Sequence, residues 1–180
     1  FKGGEPKSEV FGRPSKTAQG RCSSHDKQRG AKGIKLMIHT SAEILAHYLI
    51  SIRIFDMPSH GASWPLYVAF LPARENGNDS AVIAETTGIL DGRYADGVYV
   101  EHYGSQLRVR SLSYSEGYLK TYNASLELNS ILNTPITLDG VFYRINNVSR
   151  TSSVIPLGVE ENGRGFSFSV NFLTTITTQE

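Results

Sequence analysis

The chain has 180 residues, of which 39% are hydrophobic and 19% are charged, and these proportions fit one globular domain with a tail rather than a multidomain enzyme. Its single cysteine, Cys22, cannot form an internal disulfide, so an apolar core must hold the fold and a disulfide-stapled scaffold is excluded. The most apolar helical run, residues 36–55, carries Glu43, His47 and Arg53, so no stretch has the roughly 20 uncharged residues that a membrane helix needs. We expect a protein that does not enter a membrane.

Charge divides the chain into two unequal parts. Residues 1–36 hold nine Lys and Arg against three Asp and Glu, and residues 37–180 hold nine against fourteen, giving +6 and −5, which sum to the net +1. The first part shows no helix or strand period, which predicts a basic, disordered arm suited to phosphate contacts. A second interpretation is a non-native leader, because Met37 opens the first patterned segment and Lys32-Gly33 could be encoded by a purine-rich ribosome-binding sequence. Residues 37–180 are predicted to form the folded domain.

The first half of this domain predicts one helix and two short strands. Thr40 and Glu43 form a capping box, and apolar residues then recur at helix spacing, which predicts a helix over residues 41–51. Trp64–Leu71 has the length and apolar character of a strand, and Pro65 places it at an edge or at the strand's beginning. Residues 81–86 predict the second strand.

Residues 87–104 are rich in glycine and tyrosine, and this composition predicts a long exposed loop. Tyrosine has an apolar body and a polar tip, which suits an interface. Tyr94, Tyr99 and Tyr103 are therefore the first candidate contact residues, with a mere connecting loop as the alternative.

The second half predicts a strand, a helix and two hairpins. Residues 105–112 alternate, with Arg108 and Arg110 on one side, which predicts a half-buried strand with a basic outer face. A second capping box at Ser113 begins a helix over about residues 114–132. Asp139-Gly140 predicts a tight hairpin turn, and residues 154–159 and 166–178 predict a second hairpin with one face of its last strand in the core. The fold class is α+β, with a mainly antiparallel sheet and two helices packed on it.

The sequence offers no pattern for catalysis, a cofactor or a metal. The histidines lie in separate segments without a second ligand at metal spacing, and neither a nucleophile elbow nor a phosphate-binding glycine loop occurs. Glu160 and Glu161 are better explained as solvated turn residues than as an acid–base pair. We therefore expect no enzyme activity, no catalytic residues and no bound cofactor or metal.

Four segments, in order, resemble one family. They are Ala81–Gly88, then Gly104–Ser111 with Tyr114–Tyr118, then Leu138–Ile145, then Pro156–Phe172. Together they are similar to the tail terminator and minor capsid (tail completion) proteins of long-tailed double-stranded DNA phages, and the similarity covers nearly all of residues 38–178.

The resemblance implies a structural virion protein that forms a ring, usually a hexamer, on the completed tail tube. Such a ring ends tube polymerisation and offers the joint to the neck, so the implied place is the tail–neck junction of a virion assembled in the host cytoplasm. The implied partners are further copies of the chain, the tail tube protein, a neck protein and, incidentally, DNA in the lumen. The turn with Glu160, Glu161 and Arg164 is the second candidate contact. Arg108 and Arg110 would form ion pairs between subunits, face the lumen or lie on a solvated strand face. The alternatives are a neck or head-completion protein and, from another class, a small ligand-binding domain or enzyme.

Overall fold

Both helices begin where the sequence places their caps. In a computed structural model, which describes residues 39–72, 79–93, 99–159 and 165–178, α1 spans Ser41–Ser51 and α2 spans Tyr114–Asn129. The Thr40 hydroxyl accepts from the Glu43 N–H at 3.2 Å and the Glu43 carboxylate accepts from the Thr40 N–H at 2.7 Å, so the predicted capping box is confirmed. The Ser113 hydroxyl accepts from the Glu116 N–H at 3.5 Å. Helix α2 ends three residues before the predicted 132, because the chain turns there and begins a strand at Leu132.

The described strands form one seven-stranded sheet, in the order β1-β2-β3-β7-β5-β4 with β6 also paired to β7. Only β1 is parallel to its neighbour, and the other pairings of the described strands are antiparallel. This confirms the predicted α+β class. The strands are β1 (Leu66–Val68), β2 (Ser80–Arg93), β3 (Tyr99–Ser111), β4 (Leu132–Leu138), β5 (Val141–Arg150), β6 (Ile155–Val159) and β7 (Phe166–Thr178).

The core lies between the helices and one face of the sheet. Strand β7 contributes Phe168, Val170 and Phe172, and these alternate residues are fully buried, as the last strand's pattern predicts. The opposite face of β7 is not open to solvent, because Ser167 and Ser169 are each only 2% exposed. The alternation therefore identified the core face correctly, whereas burial of the second face depends on what packs there.

The prediction of a loop over residues 87–104 is wrong for the residues of this range that the structure describes. Strand β2 continues to Arg93 and β3 begins at Tyr99, so these residues pair as a long hairpin. Glycine is needed there because the backbones pass very close. A Cβ at Gly88 would lie 2.5 Å from the His102 carbonyl oxygen, and one at Gly104 would lie 2.4 Å from the Thr87 carbonyl oxygen. These glycines, which in the sequence are typical of a loop, are thus required by the close approach of two strands.

The β4–β5 hairpin is confirmed and is held to the start of α1. Asp139 and Gly140 have φ angles of 48° and 77°, as a tight primed turn requires. The buried Tyr143 hydroxyl lies 2.8 Å from His39 Nδ1, and His39 Nε2 lies 3.3 Å from the Asp139 carboxylate. In the described part of the chain, neither helix is long and apolar enough to traverse a lipid bilayer.

We expect Gly104→Ala to destabilise the fold by about 2 kcal/mol, because the added methyl group would collide with backbone that cannot rotate away. Urea unfolding of the full chain measures this loss. The matched control is Thr87→Ala on the exposed facing strand, which should cost about 0.5 kcal/mol through β propensity alone. Equal losses in the two variants would contradict the close-contact explanation.

Candidate assembly interface

A hairpin arm projects beyond the sheet, and we define it as residues 86–93 of β2 and 99–102 of β3. Strand β1 pairs with β2 only at 81–83, and β7 pairs with β3 only from Tyr103 onward. Beyond those points neither edge of the arm has a strand partner among the described residues. The arm also carries two exposed apolar side chains, Ile89 at 51% and Leu90 at 63%. Unpaired edges and exposed apolar residues are the features through which strands recruit another chain.

One face of the arm combines an apolar group with a carboxylate. Leu90 pairs with Glu101 across the two strands, so their side chains lie side by side on one face. His102 occupies the neighbouring position on β3 and anchors the arm to the sheet, since its Nδ1 lies 2.7 Å from Thr175 Oγ1 and its Nε2 lies 3.4 Å from the Asp91 carboxylate. The arm is therefore held at its base while Leu90 and Glu101 stay exposed.

The three predicted contact tyrosines fall in different places. Tyr103 lies at the base of the arm, half-buried against the core. Burial raises the pKa of the Tyr103 phenol, and the neighbouring Glu101 charge and hydrogen bond, with the Glu85 charge, raise the pKa further. Tyr99 begins β3, but its side chain lies outside the described part, and Tyr94 lies outside the described residues altogether.

The two predicted arginines lie together in a groove of about 460 Å³ on the sheet face opposite the helices, which we call the arginine groove. Arg110 is only 2% exposed, whereas Arg108 is exposed and its Nη2 donates to Ser167 Oγ at 3.4 Å. Val82, paired with Arg108, and Phe70, which is 70% exposed, supply apolar walls. None of the described residues that line the groove is acidic. The groove therefore sets two guanidinium groups beside apolar surface.

The second predicted contact, the turn with Glu160, Glu161 and Arg164, lies outside the described residues. Its described flanks are the exposed Val159 and the buried Gly165. A Cβ at Gly165 would lie 3.3 Å from Arg110 Nε, so this flank approaches one end of the arginine groove.

Sequence reasoning missed an α2 tyrosine stripe, formed by Tyr114, Tyr118 and Tyr122. The three are 40–49% exposed, and the Tyr118 and Tyr122 rings lie parallel with centroids 6.4 Å apart. Tyr114 contacts Phe166 and Phe168 edge-on, at 5.5 and 5.2 Å. The i, i+4 spacing could have revealed a common face, but that face is exposed because α2 turns smaller residues to the sheet, namely Gly117, Thr121, Ala124, Ser125 and Leu128.

The histidines offer a smaller cavity. His39 and His47 line a groove of about 210 Å³ together with Glu43 and Asp139. Within the described ranges, His, Cys, Asp and Glu side chains nowhere gather in groups of three or more that could hold a metal ion. His60 and His102 lie apart from this groove.

No protein-family model matches the chain, and no curated protein sequence matches it. The candidate interface is accordingly defined by geometry. The arm lies at one end of β3 and the α2 tyrosine stripe begins beyond its other end, since Phe166, which Tyr114 contacts, pairs with Ser111. The part of β3 beyond the arm, residues 103–111, separates the two surfaces by about 30 Å at the usual rise per residue.

The raised pKa of Tyr103 predicts a loss of stability at alkaline pH. The unfolded chain ionises this phenol near its ordinary value of 10.0, whereas the folded protein favours the neutral form. The free energy of unfolding should therefore fall as the pH rises above 10 toward the folded pKa. The free energy of unfolding of the Tyr103→Phe variant should fall less steeply than that of the wild type. Urea midpoints between pH 9 and 11 measure the difference, and parallel curves would contradict it.

A second variant tests the effect of the Glu101 carboxylate on the pKa of Tyr103. Glu101→Gln removes a charge that raises the pKa of Tyr103, so phenolate absorbance should appear at lower pH than in the wild type. An unchanged titration would show that Glu101 does not act on this phenol.

Proposed function

We propose that this chain is a structural phage protein that forms a ring on the tail tube, ends tube polymerisation and provides the joint to the neck. Two lines support the proposal. The four ordered segments resemble the tail terminator family, and the α+β architecture is the class that this resemblance implies.

The hairpin arm is the observation that carries the proposal. A ring subunit needs two unlike surfaces that meet head to tail and close at a fixed rotation. The arm offers unpaired strand edges, exposed apolar residues and a carboxylate at one end of β3. The arginine groove and the α2 tyrosine stripe offer unlike surfaces elsewhere on the sheet and beyond the other end of β3. Such a protomer suits a closed assembly of identical subunits.

Recognition of a tube end needs binding surfaces rather than reacting groups. Aromatic side chains with polar tips pack on apolar surface and hydrogen-bond at the rim, which suits a joint between proteins. The α2 tyrosine stripe has this character, and its ring contacts with Phe166 and Phe168 order it before binding. Side chains that are already packed in the free protein would lower the entropy cost of contact with the tube or the neck.

Deletion of the gene tests the proposed function. We expect capsids to accumulate beside separate, overlong tubes, because nothing would stop the addition of tube protein. Electron microscopy of the lysate measures tube length, and a plasmid copy of the gene should restore virions with tails of normal length.

The same images separate the alternatives. Separate tubes of normal length beside empty or DNA-leaking capsids would assign the chain to neck completion instead. Normal tailed virions would reject both structural roles.

A further inference from the structure

We infer that the arginine groove receives the Leu90–Glu101 face of the hairpin arm from a neighbouring copy of the chain. This contact rests on the proposed ring function and names the surfaces through which the ring would close. It assigns the arm and the groove to each other rather than to the tube or the neck.

Charge and apolar character match at the two surfaces. On the arm, exposed Leu90 stands beside exposed Glu101, and in the groove Val82 stands beside Arg108, with Phe70 nearby. Each surface thus sets one apolar group next to one charged group, with opposite signs on the two sides. A carboxylate that enters between apolar walls meets a guanidinium at reduced dielectric, where a charge-assisted hydrogen bond is strong.

The net charge of the segments agrees with this assignment. The arm carries Asp91 and Glu101 against Arg93, a net charge of −1. The described lining of the groove holds two arginines and no acidic residue. Attraction between these segments would orient approaching subunits before contact.

The contact cannot form within one chain. Tyr103 lies two residues after Glu101 on β3 and packs against the core, so Glu101 shares the helix side of the sheet. Arg108 is seven residues after Glu101 and lies on the opposite face, in the groove. The two positions are about 23 Å apart along the strand. One strand therefore carries both halves of a contact that only a second copy can complete.

A mixing experiment with two charge-reversal variants of the full chain tests this contact. Glu101→Arg alone would set a second guanidinium against Arg108, and Arg108→Glu alone would set a second carboxylate against Glu101. We expect each variant by itself to lose the ring. An equimolar mixture should restore the ring, because alternating subunits then bring opposite charges together at every contact. Native mass spectrometry and negative-stain microscopy, on the protein alone and with purified tail tubes, measure assembly.

Controls separate a lost contact from a lost fold. Glu127→Arg and Arg53→Glu make the same charge changes at exposed positions outside both surfaces, and each should form the ring like the wild type. Circular dichroism should show each variant folded. Leu90→Ser provides a second test without any charge change, and it should reduce assembly by removing the apolar half of the arm.

The outcomes distinguish this contact from the proposed function. Rings formed by each charge-reversal variant alone, or single variants that stay monomeric even when mixed, would overturn the arm–groove contact and leave the terminator function standing. A wild-type chain that forms no ring either alone or on tubes would overturn the terminator function itself. Restored dimers in place of rings would keep the contact and reject the ring.

Discussion

Pairing of β7 is the constraint on which the rest of the structure depends. This last strand lies at the centre of the sheet, where it pairs with β3, β5 and β6, and its Phe168, Val170 and Phe172 form much of the floor beneath the helices. The strands on either side of β7 cannot join into one sheet until the end of the chain reaches the middle of the sheet. Folding therefore depends on contacts between residues that are distant in sequence. Once formed, the pairing of β7 fixes both faces of β3, one in the core and one in the arginine groove. The position of Arg108 follows directly from that pairing, and the position of Glu101 follows from the continuation of β3 into the arm beside β2.

Under the proposed function, the strand that passes from the sheet into the arm would give this protomer its means of assembly. Within the sheet β3 is held on both sides, by β2 and by β7, and beyond Tyr103 only β2 accompanies it among the described strands. The sheet therefore sets the direction of the arm, while the edges of the arm and Leu90 remain exposed. Local pairing fixes the geometry of the free surfaces, and this makes a defined rotation between subunits physically reasonable. Unpaired edges are also an aggregation hazard, which assembly into a closed ring would remove.

Local signals in the sequence identified the elements that depend on neighbours in the chain. Thr40 with Glu43, Ser113 before α2 and the turn Asp139-Gly140 all act within a few residues, and each lies where the sequence places it. The hairpin arm was missed because its glycines are typical of a loop, although Gly88 and Gly104 serve the close approach of two backbones. That need exists only when both strands are in place. The periodicity of one strand's sequence gives no information on how closely the backbone of the neighbouring strand approaches.

The sequence by itself determined the α+β class, the helix starts, the core face of β7 and the presence of Arg108 and Arg110 on one face of their strand. These depend on alternation and capping, which operate within one element. Only the tertiary structure decided that the two arginines line a groove, that Ser167 and Ser169 are buried, and that the α2 tyrosine stripe stays exposed. An amphipathic pattern tells which side chains share a face, but it cannot tell whether that face will be covered. Whether the face is covered depends on what the other strands and helices bring against it.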